Sequence, residues 1–245
     1  MAGQEDRSQD RLTRAYFARP VLDVAPELLG CHISHAGVTV RLTEVEAYDG
    51  SNDSGSHAFR GLTPRTQVMF GEPGGLYVYF TYGMHWCANL VCGPAGAASA
   101  VLLRAGEVVG GLEVARARRV GVSDRDLARG PARLTMALAL TSEQNGIDTA
   151  ASDSPVVLRA APAGRSPGFS CGSRGDPVRS GPRVGVSGPG GDGAAYPWRF
   201  WLEGEATVSP YRPGKVRPSK PAAASGDFRA GCGVTRWASE GNEPR

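Results

Sequence analysis

LYVYFTYGMHWCANL, residues 76–90, holds two alternating runs that meet at a glycine, and it points to an antiparallel hairpin. In an extended strand alternate residues share a face, so Tyr77, Tyr79 and Thr81 lie on one side and Val78 and Phe80 on the other. A three-residue loop, Tyr82-Gly83-Met84, pairs Thr81 with His85, Tyr79 with Cys87 and Tyr77 with Asn89. That register puts Asn89 on the tyrosine face and Tyr82 at the tip. A two-residue loop would turn Asn89 away.

Upstream lie TEVEAYDGSNDSGSHAFRG (43–61) and LTPRTQVMFGEPGG (62–75). VTVRLTEVEAY (38–48) reads as a strand with Glu44, Glu46 and Tyr48 on one face and Val45 and Ala47 on the other. The two carboxylates are roughly 7 Å apart at their backbones. An isolated E-x-E also fits a solvated strand face. Tyr48 on the same face, and His57 nine residues on, favour a chemical role. A turn-rich loop (49–56) follows, and Thr63-Pro64 is a cap-then-proline signal that predicts a short helix. Carboxylates beside so many stacking surfaces suit an enzyme that draws a flat, electron-poor ring out of a stack and hydrolyses a bond to it.

Residues 15–30 carry the spacing of short helices broken by Pro20 and Pro26. AVLLRAG (100–106) reads as a strand, GGLEVARARR (110–119) and GPARLTMALAL (130–140) as helices, and RVGVS (183–187) and RFWLEG (199–204) as strands. The expected organisation is a disordered lead over 1–14, one domain over 15–210 and a disordered tail over 211–245. A long Gly/Pro/Ser/Arg loop is expected at 161–182. The fold class expected is α+β: one mixed domain with a curved, largely antiparallel sheet, flanking helices and a protruding β-hairpin.

The 245 residues suffice for one sizeable core, and no apolar run of membrane-spanning length occurs. The five cysteines (Cys31, Cys87, Cys92, Cys171, Cys232) are odd in number and lack C-x-x-C spacing, which argues against a disulfide framework or zinc site. With a polar N-terminus this fits a cytoplasmic protein, nucleoid-associated in a bacterium. Of 27 basic residues only Lys215 and Lys220 are lysines, so nothing upstream offers a lysine amine for Schiff-base chemistry. The net charge of +3 is too small to establish a nucleic-acid partner.

Over roughly residues 15–210 the chain resembles the alkyladenine (3-methyladenine) DNA glycosylase family. The likeness is densest in EAY (46–48), His57, TPR (63–65), MF (69–70), PGGLYVYFTYGM (73–84), Asn89 and LLRA (102–105). GPARL (130–134), RVGV (183–186) and RFWL (199–202) continue it in order. The resemblance implies that Glu46 is the general base that activates water, and that Arg104 positions both. It makes Tyr48, His57 and Tyr79 the walls around a flipped base, with Asn89 crowding the 2-amino group of guanine and Tyr82 filling the gap in the duplex. Residue types alone leave Glu44 as a rival base; the family's EAY spacing selects Glu46. Arg65, and with it Arg60 and Arg133, would meet the DNA backbone, giving salt-sensitive binding that is nearly independent of sequence.

The implied partner is double-stranded DNA with damaged purines, bound by a monomer away from membranes, with no metal and no cofactor. The implied reaction is simple hydrolysis that leaves an abasic site. A glycoside hydrolase fits poorly, because two neighbours on one strand cannot flank opposite faces of a bond. A zinc base deaminase is excluded by the lack of H-x-E with P-C-x-x-C. The remaining alternative is a non-catalytic protein that binds damaged or misshapen DNA.

Overall fold

The computed structural model describes residues 10–81, 83–160 and 177–214. Its centre is a 12-residue strand, β2 (Val38–Asp49), paired along one edge with an equally long strand, β5 (Ser99–Gly110). On its other edge β2 is shared: β1 (His32–His35) pairs with its first half and β8 (Arg199–Leu202) with residues 44–46. The β2–β5 register slips around Leu42, Glu44 and Val45, so the bulge falls where β2 changes partner. The hairpin strands β3 (Leu76–Thr81) and β4 (His85–Cys92) extend the sheet beyond β5. β6 (Val157–Arg159) closes the β1 edge, and β7 (Val178–Gly181) pairs with β8. Every pairing is antiparallel, and the result is a branched, open sheet.

Period two separates the sheet's faces chemically. One face carries Val45, Ala47, Leu76, Val78, Ala88, Leu90, Val101 and Leu103, all in the main core. The helices α2 (Val21–Glu27), α3 (Leu112–Arg118) and α4 (Pro131–Ala137) cover it. Val24, Leu28, Leu134 and Leu138 supply the apolar surface. The opposite face carries Glu44, Glu46, Tyr77, Tyr79, Asn89 and Arg104. Registers align Tyr77, Asn89, Leu102, Glu46 and Arg199 in one row across five strands.

The hairpin pairs Thr81 with His85, Tyr79 with Cys87 and Tyr77 with Asn89, as the three-residue loop requires. Gly83 has φ +65, a left-handed turn that a side chain would strain. Phe80, Met84 and His85 are exposed around the tip. Tyr82 lies outside the described residues.

Several expectations need correction. The helix expected from Thr63-Pro64 is a turn followed by a short 3-10 helix at Gln67–Phe70. Thr66 Oγ1 accepts from the Thr63 N–H at 2.9 Å, and such side-chain bonds compete with helix formation. Pro20 does separate α1 (Arg14–Phe17) from α2, but Pro26 sits within the last turn of α2. RVGVS is no strand; Gly185 (φ +74) and Gly188 (φ +71) turn it into a loop over 182–198. The expected loop 161–182 contains β7 at its end, and residues 161–176 lie outside the described part. Residues 10–12, expected to be disordered, bond along β6: the Leu12 N–H donates to the Leu158 carbonyl and Ala160 N–H to that of Asp10. Residues 211–214 pack back on the 183–187 loop, where the Gly185 N–H donates to the Arg212 carbonyl. The remaining parts of the expected lead and tail, 1–9 and 215–245, are outside the described residues. So are Lys215 and Lys220.

Candidate active site

A cavity of about 510 Å³ opens on the polar face of the sheet, between the hairpin and the loops 53–69 and 184–187. Glu46, Arg104, Tyr48, His57, Tyr79 and Asn89 all line it. Glu44 does not.

Both carboxylates are fully buried, which disposes of the solvated-face reading. Glu46 Oε1 accepts from the Val184 N–H at 2.7 Å and lies 3.4 Å from an Arg104 guanidinium nitrogen. Its Oε2 accepts from the Tyr48 hydroxyl at 2.9 Å. A carboxylate has about four acceptor positions, so these two hydrogen bonds leave room for a further donor beside the Arg104 guanidinium. Burial, and then the neighbouring Glu46 charge, push the Tyr48 phenol well above its ordinary pKa, so it stays protonated and donates. Tyr48→Phe keeps the ring and deletes this donor. Bonds to charged groups contribute about 1.5–3 kcal/mol, so single-turnover kinetics should show a loss of roughly ten- to hundredfold.

Glu44, the rival, is tied up in four hydrogen bonds. Its oxygens accept from Arg104 Nε at 2.8 Å, Arg199 Nε at 2.7 Å, and the Ser209 N–H and hydroxyl at 2.7 and 3.0 Å. Burial pushes its carboxyl up, but Arg104, Arg199 and Ser209 outweigh that and hold it below its ordinary value. Residue type left the two glutamates open; in the structure Glu46 lines the cavity and Glu44 does not.

The aromatic wall comes from β3 and the 57–69 loop. Tyr77 and Tyr79 stack with centroids 5.3 Å apart, and His57 meets Tyr79 edge-on at 4.6 Å. Arg65 lies over the Tyr79 ring at 5.3 Å. His57 is open to solvent on one side. Burial, and then the Arg65 charge, push its imidazole pKa down to about 4. The ring is therefore neutral at physiological pH and gains its proton only as pH falls through that value. NMR of the ring should give a midpoint near 4; a midpoint at 6.5 or above would contradict this environment.

Asn89 is buried and donates through Nδ2 to the Tyr77 carbonyl at 3.1 Å, which fixes its amide. Arg133, on α4, is exposed and 3.8 Å from Asp126, while its neighbours Pro131 and Ala132 line the cavity. Arg60 is exposed in the turn before Gly61. Arg65, Arg60 and Arg133 are all exposed, and Arg65 lies over a ring of the cavity wall.

The sequence did not disclose Arg183 or Asp53. Both are fully buried and doubly bonded: the Arg183 guanidinium donates to the Asp53 carboxylate at 2.5 and 2.7 Å. It also donates to the carbonyls of Ala47 and Gly190. Its guanidinium carbon lies 4.5 Å from the Tyr48 ring centroid, with Trp198 and Tyr196 at 5.4 and 5.6 Å. The loops it joins approach closely at two glycines: a Cβ on Gly190 would fall 2.3 Å from the Gly55 nitrogen. The only signal was the RVGV motif itself, whose V-x-V alternation imitates a strand.

Among the described residues no group of three or more His, Cys, Asp or Glu could hold a metal ion, and no helix is long and apolar enough to cross a membrane. Cys31, Cys87 and Cys92 are buried and form no disulfide with one another.

Residues 15–206 match the model of the methylpurine-DNA glycosylase family. A Streptomyces avermitilis protein named "Putative 3-methyladenine DNA glycosylase" is 53% identical over 206 residues, covering 82% of this chain and 92% of that protein. Proteins of the same name from Frankia casuarinae and Burkholderia lata are 52% and 45% identical. Each covers 81% of this chain, and 92% and 90% of their own lengths. These matches define the class of protein, a DNA glycosylase. The chain belongs to the methylpurine-DNA glycosylase family.

Proposed function

We propose that this protein excises alkylated purines, 3-methyladenine foremost, from duplex DNA by hydrolysis that leaves an abasic site. The observation that carries the reading is Glu46: a fully buried carboxylate in a ring-lined cavity, held by two hydrogen bonds and an arginine beside it, with acceptor capacity left for a water.

The damaged nucleotide turns out of the helix and its base enters between Tyr48, His57 and Tyr79. Flipping costs a few kcal/mol, and less for a poorly paired base, which itself favours damage. Stacking on aromatic faces favours a cationic ring by about 0.5–2 kcal/mol. The neutral His57 adds no opposing charge. Water attacks C1′ as the bond to the purine nitrogen breaks. The oxygen bonds to C1′, its proton passes to Glu46, and the bond's electron pair leaves with the base. An N-alkylated purine starts positively charged and leaves neutral, so it departs readily.

Arg104 orients Glu46 and the water. Asn89, with its amide locked, crowds the 2-amino group of normal guanine. Tyr82 fills the vacated space from the minor groove, and Arg65, Arg60 and Arg133 meet phosphates. With no lysine before Lys215, hydrolysis rather than an imine route to strand cleavage fits the chain. The same site would take 7-methylguanine, which is also cationic; hypoxanthine, a neutral base, would need a hydrogen bond from the His57 region to leave.

Chromatography of bases released from methylated duplex DNA tests the proposal. Free 3-methyladenine from the wild type, and none from Glu46→Gln, is the expected result. A folded wild type that binds DNA and releases nothing would leave the damage-binding alternative standing.

A further inference from the structure

Beneath Glu46 lies a second carboxylate that the reaction does not use. Glu44 is fully buried, accepts four hydrogen bonds from Arg104, Arg199 and Ser209, and lies outside the cavity lining. Burying a charge this way is costly unless it is matched, and here two guanidiniums match two carboxylates. Arg104 connects them. Its Nε bonds to Glu44, one terminal nitrogen reaches the Ser209 hydroxyl at 3.3 Å, and the other lies 3.4 Å from Glu46 Oε1.

The guanidinium is planar, so fixing one edge sets the direction of the remaining N–H groups. With that edge on Glu44 and Ser209, only one corner faces Glu46, and at long range. Freed from Glu44, Arg104 would have Glu46 as its nearest carboxylate. The favoured geometry of such a pair is two parallel bonds. That pairing would occupy the acceptor position a water needs.

The clasp is built from a distant part of the chain. Ser209 is tied in by the Arg199 bond to its carbonyl at 2.8 Å. The adjoining segment is fixed by Thr43–Thr207 hydroxyl contact at 2.9 Å and by Arg129 on the Val208 carbonyl at 2.9 Å.

We propose that Glu44, completed by Ser209, is a positioning residue that holds Arg104 by its Nε edge and so keeps Glu46 available to water. This rests on Glu46 being the base. The test is single-turnover base release and DNA affinity for four proteins: wild type, Glu46→Gln, Ser209→Ala and the double variant Glu44→Gln/Arg199→Gln. The double variant keeps the buried cluster's charge balanced, and Ser209→Ala changes no charge, so at least one of them keeps the fold.

The expected result is a rate at saturating enzyme lowered about tenfold or more in the double variant, and less in Ser209→Ala. DNA affinity should stay near wild type while the rate falls, and the folded fraction is set by melting temperature; a merely structural role would not produce that split. A folded double variant or Ser209→Ala protein as fast as wild type would overturn the proposal. An inactive wild type would instead overturn the glycosylase reading on which it rests. An active Glu46→Gln protein would overturn the assignment of the base.

Discussion

Glu46→Gln is expected to lower the single-turnover rate of base release by about 10²–10⁴-fold while leaving DNA affinity nearly unchanged. The substitution is close to a pure test of proton acceptance. A glutamine oxygen still accepts from the Val184 N–H, and the side-chain amide still fits beside Tyr48. Packing is kept because the residue has the same size and position. What disappears is the charge, and with it the ability to take a proton from water. The rate range corresponds to roughly 3–5.5 kcal/mol of barrier. Rate measurements under enzyme excess, with affinity measured on an uncleaved duplex, check it. A loss confined to affinity would show that Glu46 organises binding and that another group takes the proton.

The largest stability effect is expected from Arg183→Met, which should lose about 3–5 kcal/mol, the usual cost of leaving one member of a buried ion pair alone. For a domain of this size that is a fall in melting temperature of roughly 6–20 °C. Asp53 would be stranded at full burial, and the carbonyls of Ala47 and Gly190 would lose their donor. Burial opposes the Arg183 charge, yet the bonds to Asp53 outweigh it and hold the guanidinium above its ordinary pKa. The double variant Arg183→Met/Asp53→Leu should recover much of the loss, because it removes the stranded charge. Thermal and denaturant unfolding of both proteins decide the matter. A single-variant loss below about 1 kcal/mol would mean the pair is dispensable. Activity should fall as well, since Val184, the next residue, holds Glu46.

These two residues mark how far the sequence could be read. The hairpin was legible because loop length sets the parity of pairing, and parity alone places Asn89 with the tyrosines. Glu46, Tyr48 and Arg104 were legible because the family motifs fall on strands whose alternation puts them on one face. Arg183 was hidden. Its partners, Asp53 and Glu46's neighbourhood, are more than a hundred residues away, and the local pattern around it imitates a strand that its glycines forbid.

Strand β7 was hidden for a related reason: four residues, VRSG, extend only because β8 lies alongside. The last four residues of β5, 107–110, were missed: the strand read from the sequence ended at Gly106. In the fold it marks close contact, since a Cβ there would lie 2.3 Å from a Val40 methyl group. Glu44 shows the limit at the site itself. Alternation puts it beside Glu46, and only the four donors around it reveal that it is occupied.

The account turns on hydrolysis at the sugar, and an end-labelled duplex with one alkylated purine tests that most directly. After incubation with the wild type, electrophoresis should show an intact strand that breaks at the lesion only on treatment with alkali, and no break after incubation with Glu46→Gln. A strand cut by the enzyme without alkali, or one that alkali leaves whole, would contradict it.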